Sequence, residues 1–245
     1  YCNYPQIDGR QVRTLAVEEI VDSVARLHRD HGADYLFFTD SVFNIKPGFN
    51  DELAEALVRA ALPVRWGAYF SPRQLSHQQL ALYQRAGLTH IEFGTESLSD
   101  EVLHHYRKPF DVAEVVAVSE RCRKLGINYA HFLILGGWGE TRATLSETLA
   151  NCTRIYNTVY FPFFGMRVYP NTGLQQVLIE AGELAADDPL LAPRYYLAPE
   201  FDGDWFKQQA ATTGRRWVFP DEELAPISPK LRRRHRGPMW EWLAL

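Results

Sequence analysis

Cysteine is scarce in this chain of 245 residues: there are three, Cys2, Cys122 and Cys152, and they lie far apart. That scatter excludes a secreted disulfide framework and fits a reducing compartment, so the expected location is cytoplasmic. Methionine is scarcer, at two residues, and position 1 is Tyr rather than Met, so the sequence reads as one whose true N-terminus lies upstream. Long apolar runs are missing as well. The best candidates are broken by Gly136, Gly137, Pro162 and Arg167, so no transmembrane segment is expected. Neither sign of charge dominates: 26 Lys and Arg stand against 30 Asp and Glu, for a formal net charge of -4. Such a chain has no global basic field with which to gather nucleic acid or anionic lipid, and no nucleic-acid partner is expected. Low-complexity linkers and internal sequence repeats are also lacking.

What is present is a globular composition, 46% hydrophobic and 23% charged, long enough for one large barrel or two small domains. Residues 15–31 carry apolar positions at helical spacing, with Thr14 as N-cap and Gly32 as stop. The short apolar strand 35–40 follows. The unit then repeats as helix 50–61, strand 64–70, helix 76–86, strand 89–94, helix 111–125, strand 128–135, helix 141–156 and strand 158–168. Strict alternation predicts a parallel sheet with crossover helices. From 187 onward the regularity stops, so the expected division is a core at 1–185 and an irregular C-terminal extension at 186–245, rich in Pro, Tyr and Trp. The Arg run at 232–236 reads as a solvated helix face.

In parallel α/β folds the working residues stand on loops after the strands. Here those loops hold Asp40 and Asn44, then Arg73, then Thr95 and Glu96, then Gly136, Gly137 and Glu140, then Arg167. The run Gly136-Gly137-Trp138-Gly139-Glu140-Thr141 lets backbone approach a ligand and opens a helix, although a tight strand-to-helix turn has the same composition. Asp40 and Glu96 suit acids or hydroxyl acceptors, and equally helix caps. Arg73 and Arg167 suit a carboxylate or substrate, and equally a structural ion pair. Phe43, Tyr69, Phe70, Trp138 and Phe164 suit a dry cavity, and equally a core. Cys122 and Cys152 fall inside helices and read as small buried hydrophobes.

Taken in order, Tyr1-Cys2-Asn3-Tyr4-Pro5, Gly9-Arg10 with Arg13, Phe37 to Asn44, Phe93-Gly94-Thr95-Glu96-Ser97 and Leu133 to Thr141 resemble the radical S-adenosylmethionine superfamily, along about three quarters of the chain. The nearest likeness is to the branch with a cobalamin-binding domain ahead of the barrel, including lipid-biosynthesis members. The resemblance implies a partial six-stranded (β/α) barrel of the TIM type. It implies a [4Fe-4S] cluster held by C-x-x-x-C-x-x-C, with Tyr1 preceding Cys2 as the last ligand and the first two cysteines before residue 1. It implies S-adenosylmethionine on that cluster, cleaved reductively to a 5′-deoxyadenosyl radical, and a reductant protein such as flavodoxin or ferredoxin. The substrate would be a small or lipid-like molecule, and cobalamin would sit on a missing N-terminal domain.

By the same resemblance Asp40 meets the methionine amino group, departing from the commoner Gly-Gly-Glu. Thr95 and Glu96 approach ribose and carboxylate, and the stretch from His131 to Glu140 packs the adenine. With one thiolate, the fragment alone is expected to be inactive. The rivals are a cluster-free (β/α) barrel lyase and a non-catalytic barrel remnant, and fold alone does not choose a substrate.

Overall fold

The computed structural model describes residues 1–220. A helical turn, α1 (Tyr4–Ile7), follows Cys2, and the alternation begins with α2 (Val17–His31) and β1 (Tyr35–Phe38). Apolar spacing buries Val17 and Val24, acids occupy the first turn, and basic residues occupy the last, matching the helix dipole. Gly32 closes the helix in the left-handed region (φ 66°), which glycine adopts without Cβ strain. The N-cap is Ala16, not Thr14, and it makes no side-chain bond.

The repeat continues through α3 (Pro47–Ala60), β2 (Arg65–Phe70), α4 (His77–Arg85), β3 (Leu88–Glu96), α5 (Asp100–His105), α6 (Val112–Leu125), β4 (Asn128–Leu135), α7 (Arg142–Cys152) and β5 (Thr158–Phe164). Reciprocal capping bonds fix two helix starts, Ser76 with Gln79 and Thr141 with Thr144. Neighbouring strands pair in parallel, so the chain is an α/β fold with the sheet order β1-β2-β3-β4-β5.

Period-two alternation divides every strand between two faces. Leu36, Phe38, Trp66, Phe70, Ile91, Phe93, Leu133 and Tyr160 point to the helix-covered core. Full burial of a side chain such as Ile91 or Leu133 contributes about 1.5–3 kcal/mol. The opposite, inner face carries Phe37, Tyr69, Gly94, Glu96, Phe132 and Phe161, and its open end is the cleft described below.

Three sequence expectations are corrected. The strand expected over 158–168 breaks at Gly165 (φ 84°), and β6 (Met166–Val168) leaves the sheet to pair antiparallel with β7 (Arg194–Tyr196). The helix expected over 141–156 ends at Cys152. Beyond 187 the chain is not wholly irregular: α9 (Gly203–Thr212) precedes β8 (Arg216–Trp217), which pairs in parallel with β5 as the sixth strand of the sheet. A two-residue strand leaves no period to read. Between β6 and β7 lies α8 (Gly173–Glu180). Among the described residues no helix is long and apolar enough to cross a membrane. The Arg run at 232–236, Trp240 and Trp242 lie outside the described residues.

Candidate active site

At the C-terminal ends of β1 to β4 a cleft of about 460 Å³ opens on the inner face. Its walls are largely apolar, formed by Val42, Tyr69, Phe110 and Phe132, and its charged groups are Arg73, Glu96 and Lys108. Lys108 Nζ donates to Glu96 Oε1 at 2.9 Å, and both side chains retain under a fifth of their exposure. Glu96 is the last residue of β3, just past a register shift against β4, and its φ of 67° is one that a non-glycine residue rarely adopts. A bulge with a left-handed residue re-aims a side chain at the cost of about 1–3 kcal/mol, typical of a functional strand end.

Tyr1 completes this cluster. Its ring meets Tyr106 edge-on at 5.5 Å and lies 5.9 Å from the Lys108 ammonium. Burial and then the Glu96 carboxylate raise its phenol well above the ordinary range, so it stays protonated. Glu96 and Lys108 thus stand beside the residue that precedes Cys2.

Other sequence candidates divide between the cleft and its supports. Asn44 is buried, and its side chain clamps the loop after β2, donating to Ser71 O at 3.0 Å and accepting from Ser71 N at 2.8 Å. That clamp presents Arg73, whose side chain has no hydrogen bond or ion pair among the described residues. Asp40 is exposed and lines a separate groove with Arg13 and Phe49, while its neighbour Ser41 lines the cleft. Thr95 and His131 face the helices instead: Thr95 Oγ1 and His131 Nδ1 lie 2.7 Å apart, and Ser119 Oγ is 3.1 Å from the other ring nitrogen. Burial holds the His131 pKa down to about 3, so the ring is neutral. Arg167 stacks over Tyr169 at 4.8 Å, outside the cleft lining.

The Gly-rich loop packs against its own chain. A Cβ on Gly137 would sit 1.9 Å from the Tyr106 hydroxyl, one on Gly139 would be 2.0 Å from His105 Nδ1, and one on Gly136 would be 2.8 Å from Leu197 and Phe201. Glu140 is buried and folds back so that its carboxylate accepts from Gly136 N. Its second oxygen has no partner among the described residues, and burial raises the carboxyl to about 7. Of the aromatic candidates, Tyr69 lines the cleft from the inner face, and Phe70 borders it with its ring in the core. Phe43 belongs to the core, Trp138 leans on Tyr196, and Phe164 packs on Phe201.

Sequence reading missed Lys108 and Tyr106. Lys108 lies twelve residues past Glu96, beyond the short α5, and only a regular spacing between the acid and a following base would have signalled it. Cys2 is exposed, whereas burial raises the thiol of Cys122 to about 12 and that of Cys152 to about 11. No group of three or more His, Cys, Asp or Glu side chains that could hold a metal occurs among the described residues. They therefore account for one thiolate, while an iron-sulfur cluster needs several.

Comparison with known proteins gives consistent matches. The family described as the radical SAM superfamily matches residues 1–152. The anaerobic magnesium-protoporphyrin IX monomethyl ester cyclase of Cereibacter sphaeroides is 29% identical over 143 residues, 57% of this chain and 23% of the relative. The cytidylyl-2-hydroxyethylphosphonate methyltransferase of Streptomyces wedmorensis is 24% identical over 137 residues, 56% of this chain and 26% of the relative. The chain thus spans about a quarter of the length of these curated relatives. Among solved structures, the radical S-adenosylmethionine methyltransferase TsrM of Kitasatospora setae, with cobalamin and a [4Fe-4S] cluster bound, superposes with a TM-score of 0.74. It has 17% identity and covers 95% of this chain and 53% of that one. Coproporphyrinogen III oxidase (HemN) of Escherichia coli gives a TM-score of 0.52 at 15% identity, covering 90% of this chain and 53% of that one.

Proposed function

The chain belongs to the radical SAM superfamily, and on that premise we propose that its cleft binds S-adenosylmethionine beside a [4Fe-4S] cluster for which Cys2 is one ligand. The observation that carries this reading is the Glu96–Lys108 pair, held on the inner face at 2.9 Å next to Tyr1. An ammonium beside a carboxylate suits an amino-acid ligand with ribose hydroxyls: Lys108 attracts the carboxylate, and Glu96 accepts from hydroxyl or ammonium. When bound, the cluster and S-adenosylmethionine supply one-electron reductive cleavage of the sulfonium to a 5′-deoxyadenosyl radical. The residues of this chain bind, orient and exclude water. Tyr69, Phe110 and Phe132 keep the cleft apolar, Asn44 fixes the loop bearing Arg73, and Thr95 with His131 anchors β3 to β4 from behind.

Cobalamin-dependent methyl transfer or rearrangement is our finer reading, supported by the likeness in fold to TsrM. A small or lipid-like substrate, a flavodoxin or ferredoxin as reductant and a cytoplasmic location belong to the same proposal. The test is anaerobic reconstitution of the complete gene product, with counts of iron and of 5′-deoxyadenosine after reduction. Cys2→Ala is expected to lose the cluster. Lys108→Met is expected to keep the iron and weaken S-adenosylmethionine binding about ten- to a hundredfold, as loss of one charge-assisted bond worth about 1.5–3 kcal/mol implies. A wild-type protein that takes up no iron would leave the cluster-free barrel standing, and iron without deoxyadenosine would favour the non-catalytic remnant.

A further inference from the structure

The segment that carries Cys2 has little packing of its own. From Cys2 to Ala16 every residue but Asn3 is exposed, and α1 buries no side chain. Ordering each residue costs roughly 1–2 kcal/mol, and a stretch that buries so little apolar surface does not offset that cost locally, so contacts at its two ends have to place it. At the far end Val17 enters the main core with α2. At the near end Tyr1 packs on the smaller apolar cluster of Tyr106, Met166 and Leu174. Between them Gln6 Nε2 donates to Asn171 O at an exposed position.

Tyr106 is the fixed half of the near contact. It is 7% exposed, and its hydroxyl stands 3.5 Å from the Ile134 carbonyl oxygen on β4, in the space that a Cβ on Gly137 would take. The ring is thus wedged between the Gly-rich loop and Tyr1, which it meets edge-on at 5.5 Å. An edge-on aromatic pair contributes about 0.5–1.5 kcal/mol beyond the area it buries, and it fixes an angle as well as a distance. Lys108 offers less, since its ammonium is 5.9 Å from the Tyr1 ring and is already paired with Glu96 at 2.9 Å.

We propose that Tyr106 is a positioning residue for Cys2: its ring holds Tyr1 against the end of β4 and so sets where the next residue's thiolate stands relative to the cleft. Tyr106 lies outside the cleft lining and acts through Tyr1. The consequence for iron rests on the radical reading above, whereas the hold on Tyr1 does not.

The test uses the complete gene product with Tyr106→Leu, which keeps apolar bulk and loses the ring, and Tyr106→Phe, which keeps the ring. Chymotrypsin must take the Tyr1 ring into its own pocket to cut the Tyr1–Cys2 bond, so cleavage there reads how often Tyr1 undocks. In the iron-free protein Tyr106→Leu is expected to speed that cut about tenfold and Tyr106→Phe to leave it at the wild-type rate, while cleavage after Tyr160, buried in the core, stays unchanged in both. After anaerobic reconstitution, loss of iron to a chelator is expected to quicken about tenfold in Tyr106→Leu and not in Tyr106→Phe. An unchanged cut at Tyr1 in Tyr106→Leu, or an equal acceleration at Tyr160, overturns the assignment. So does iron loss that stays at the wild-type rate while the cut quickens. A wild-type protein that takes up no iron, with the cut responding as expected, would sink the radical reading and leave the hold on Tyr1 supported.

Discussion

One methyl group has opposite consequences at two glycines of the site. At Gly137 it would fall 1.9 Å from the Tyr106 hydroxyl, whereas at Gly94 it would meet nothing closer than 3.7 Å. Overpacking of the first kind costs about 1–3 kcal/mol. Gly137→Ala is therefore expected to lower the unfolding midpoint in urea, and adding Tyr106→Phe, which removes the clashing oxygen, is expected to recover part of the loss. No recovery in the double variant would mean that the loop needs glycine for another reason. Thiol chemistry offers a second prediction at this scale. Cys2 is exposed, and Cys122 and Cys152 are buried with raised thiol pKa values. Iodoacetamide at pH 8 is expected to label the chain once within minutes and three times in denaturant, read by intact mass. A native mass showing three rapid additions would contradict the burial.

At the scale of elements, α9 shows what holds β8 in place. The Arg142 guanidinium lies 3.9 Å from the centre of the Trp205 ring and 3.8 Å from Asp202, while Arg142 N donates to Glu200. The ion pair is half-exposed and contributes little, so the stacking and the packing of the Arg stem carry the contact, about 1 kcal/mol. Arg142→Ala is expected to speed hydrogen exchange in α9 and β8 and leave α6 unchanged. Uniform acceleration across the chain would show instead that α9 does not open as a separate unit.

Elements with a clear period were legible in the sequence. The stripe of α2 and the apolar runs of β3 and β4 fall within a residue or two of expectation, because period alone decides them. Short elements were not: α5 has six residues and β8 has two. The candidate site divides for the same kind of reason. Glu96, Arg73 and Asn44 were legible as residues after strands, and the cleft gathers them. Thr95 and His131 sit at equally promising positions, yet alternation turns them to the helices and Glu96 to the inner face, while the bulge sets Glu96 opposite Leu133. The alternation over 91–96 thus carries which side chains face the cleft, whereas the shifted pairing and left-handed backbone at Glu96 leave no mark in the sequence pattern.

For the whole molecule, buried histidines and a buried carboxyl set opposing responses to pH. The His131 pKa falls from 6.5 to about 3, because burial disfavours the charged ring. Below pH 6.5 the unfolded chain takes up a proton that the folded ring refuses, so this group removes stability as pH falls from 6.5 toward 3. The Glu140 carboxyl moves from 4.5 to about 7, again through burial. Between pH 4.5 and 7 the folded chain keeps a proton that the unfolded chain has lost, so stability falls as pH rises through that window, by up to about 3 kcal/mol. From pH 4.5 to 6.5 these two slopes oppose each other, and His90, whose pKa burial also lowers to about 4, adds to the loss of stability as pH falls, so the wild-type profile should decline toward acid. Glu140→Gln removes one slope while keeping an acceptor for Gly136 N. Its advantage in melting temperature over wild type is expected to be near zero at pH 4 and to grow to about 6 °C or more at pH 8. The same difference at both pH values would show that Glu140 keeps its charge when folded, and would place a cation or water beside its second oxygen.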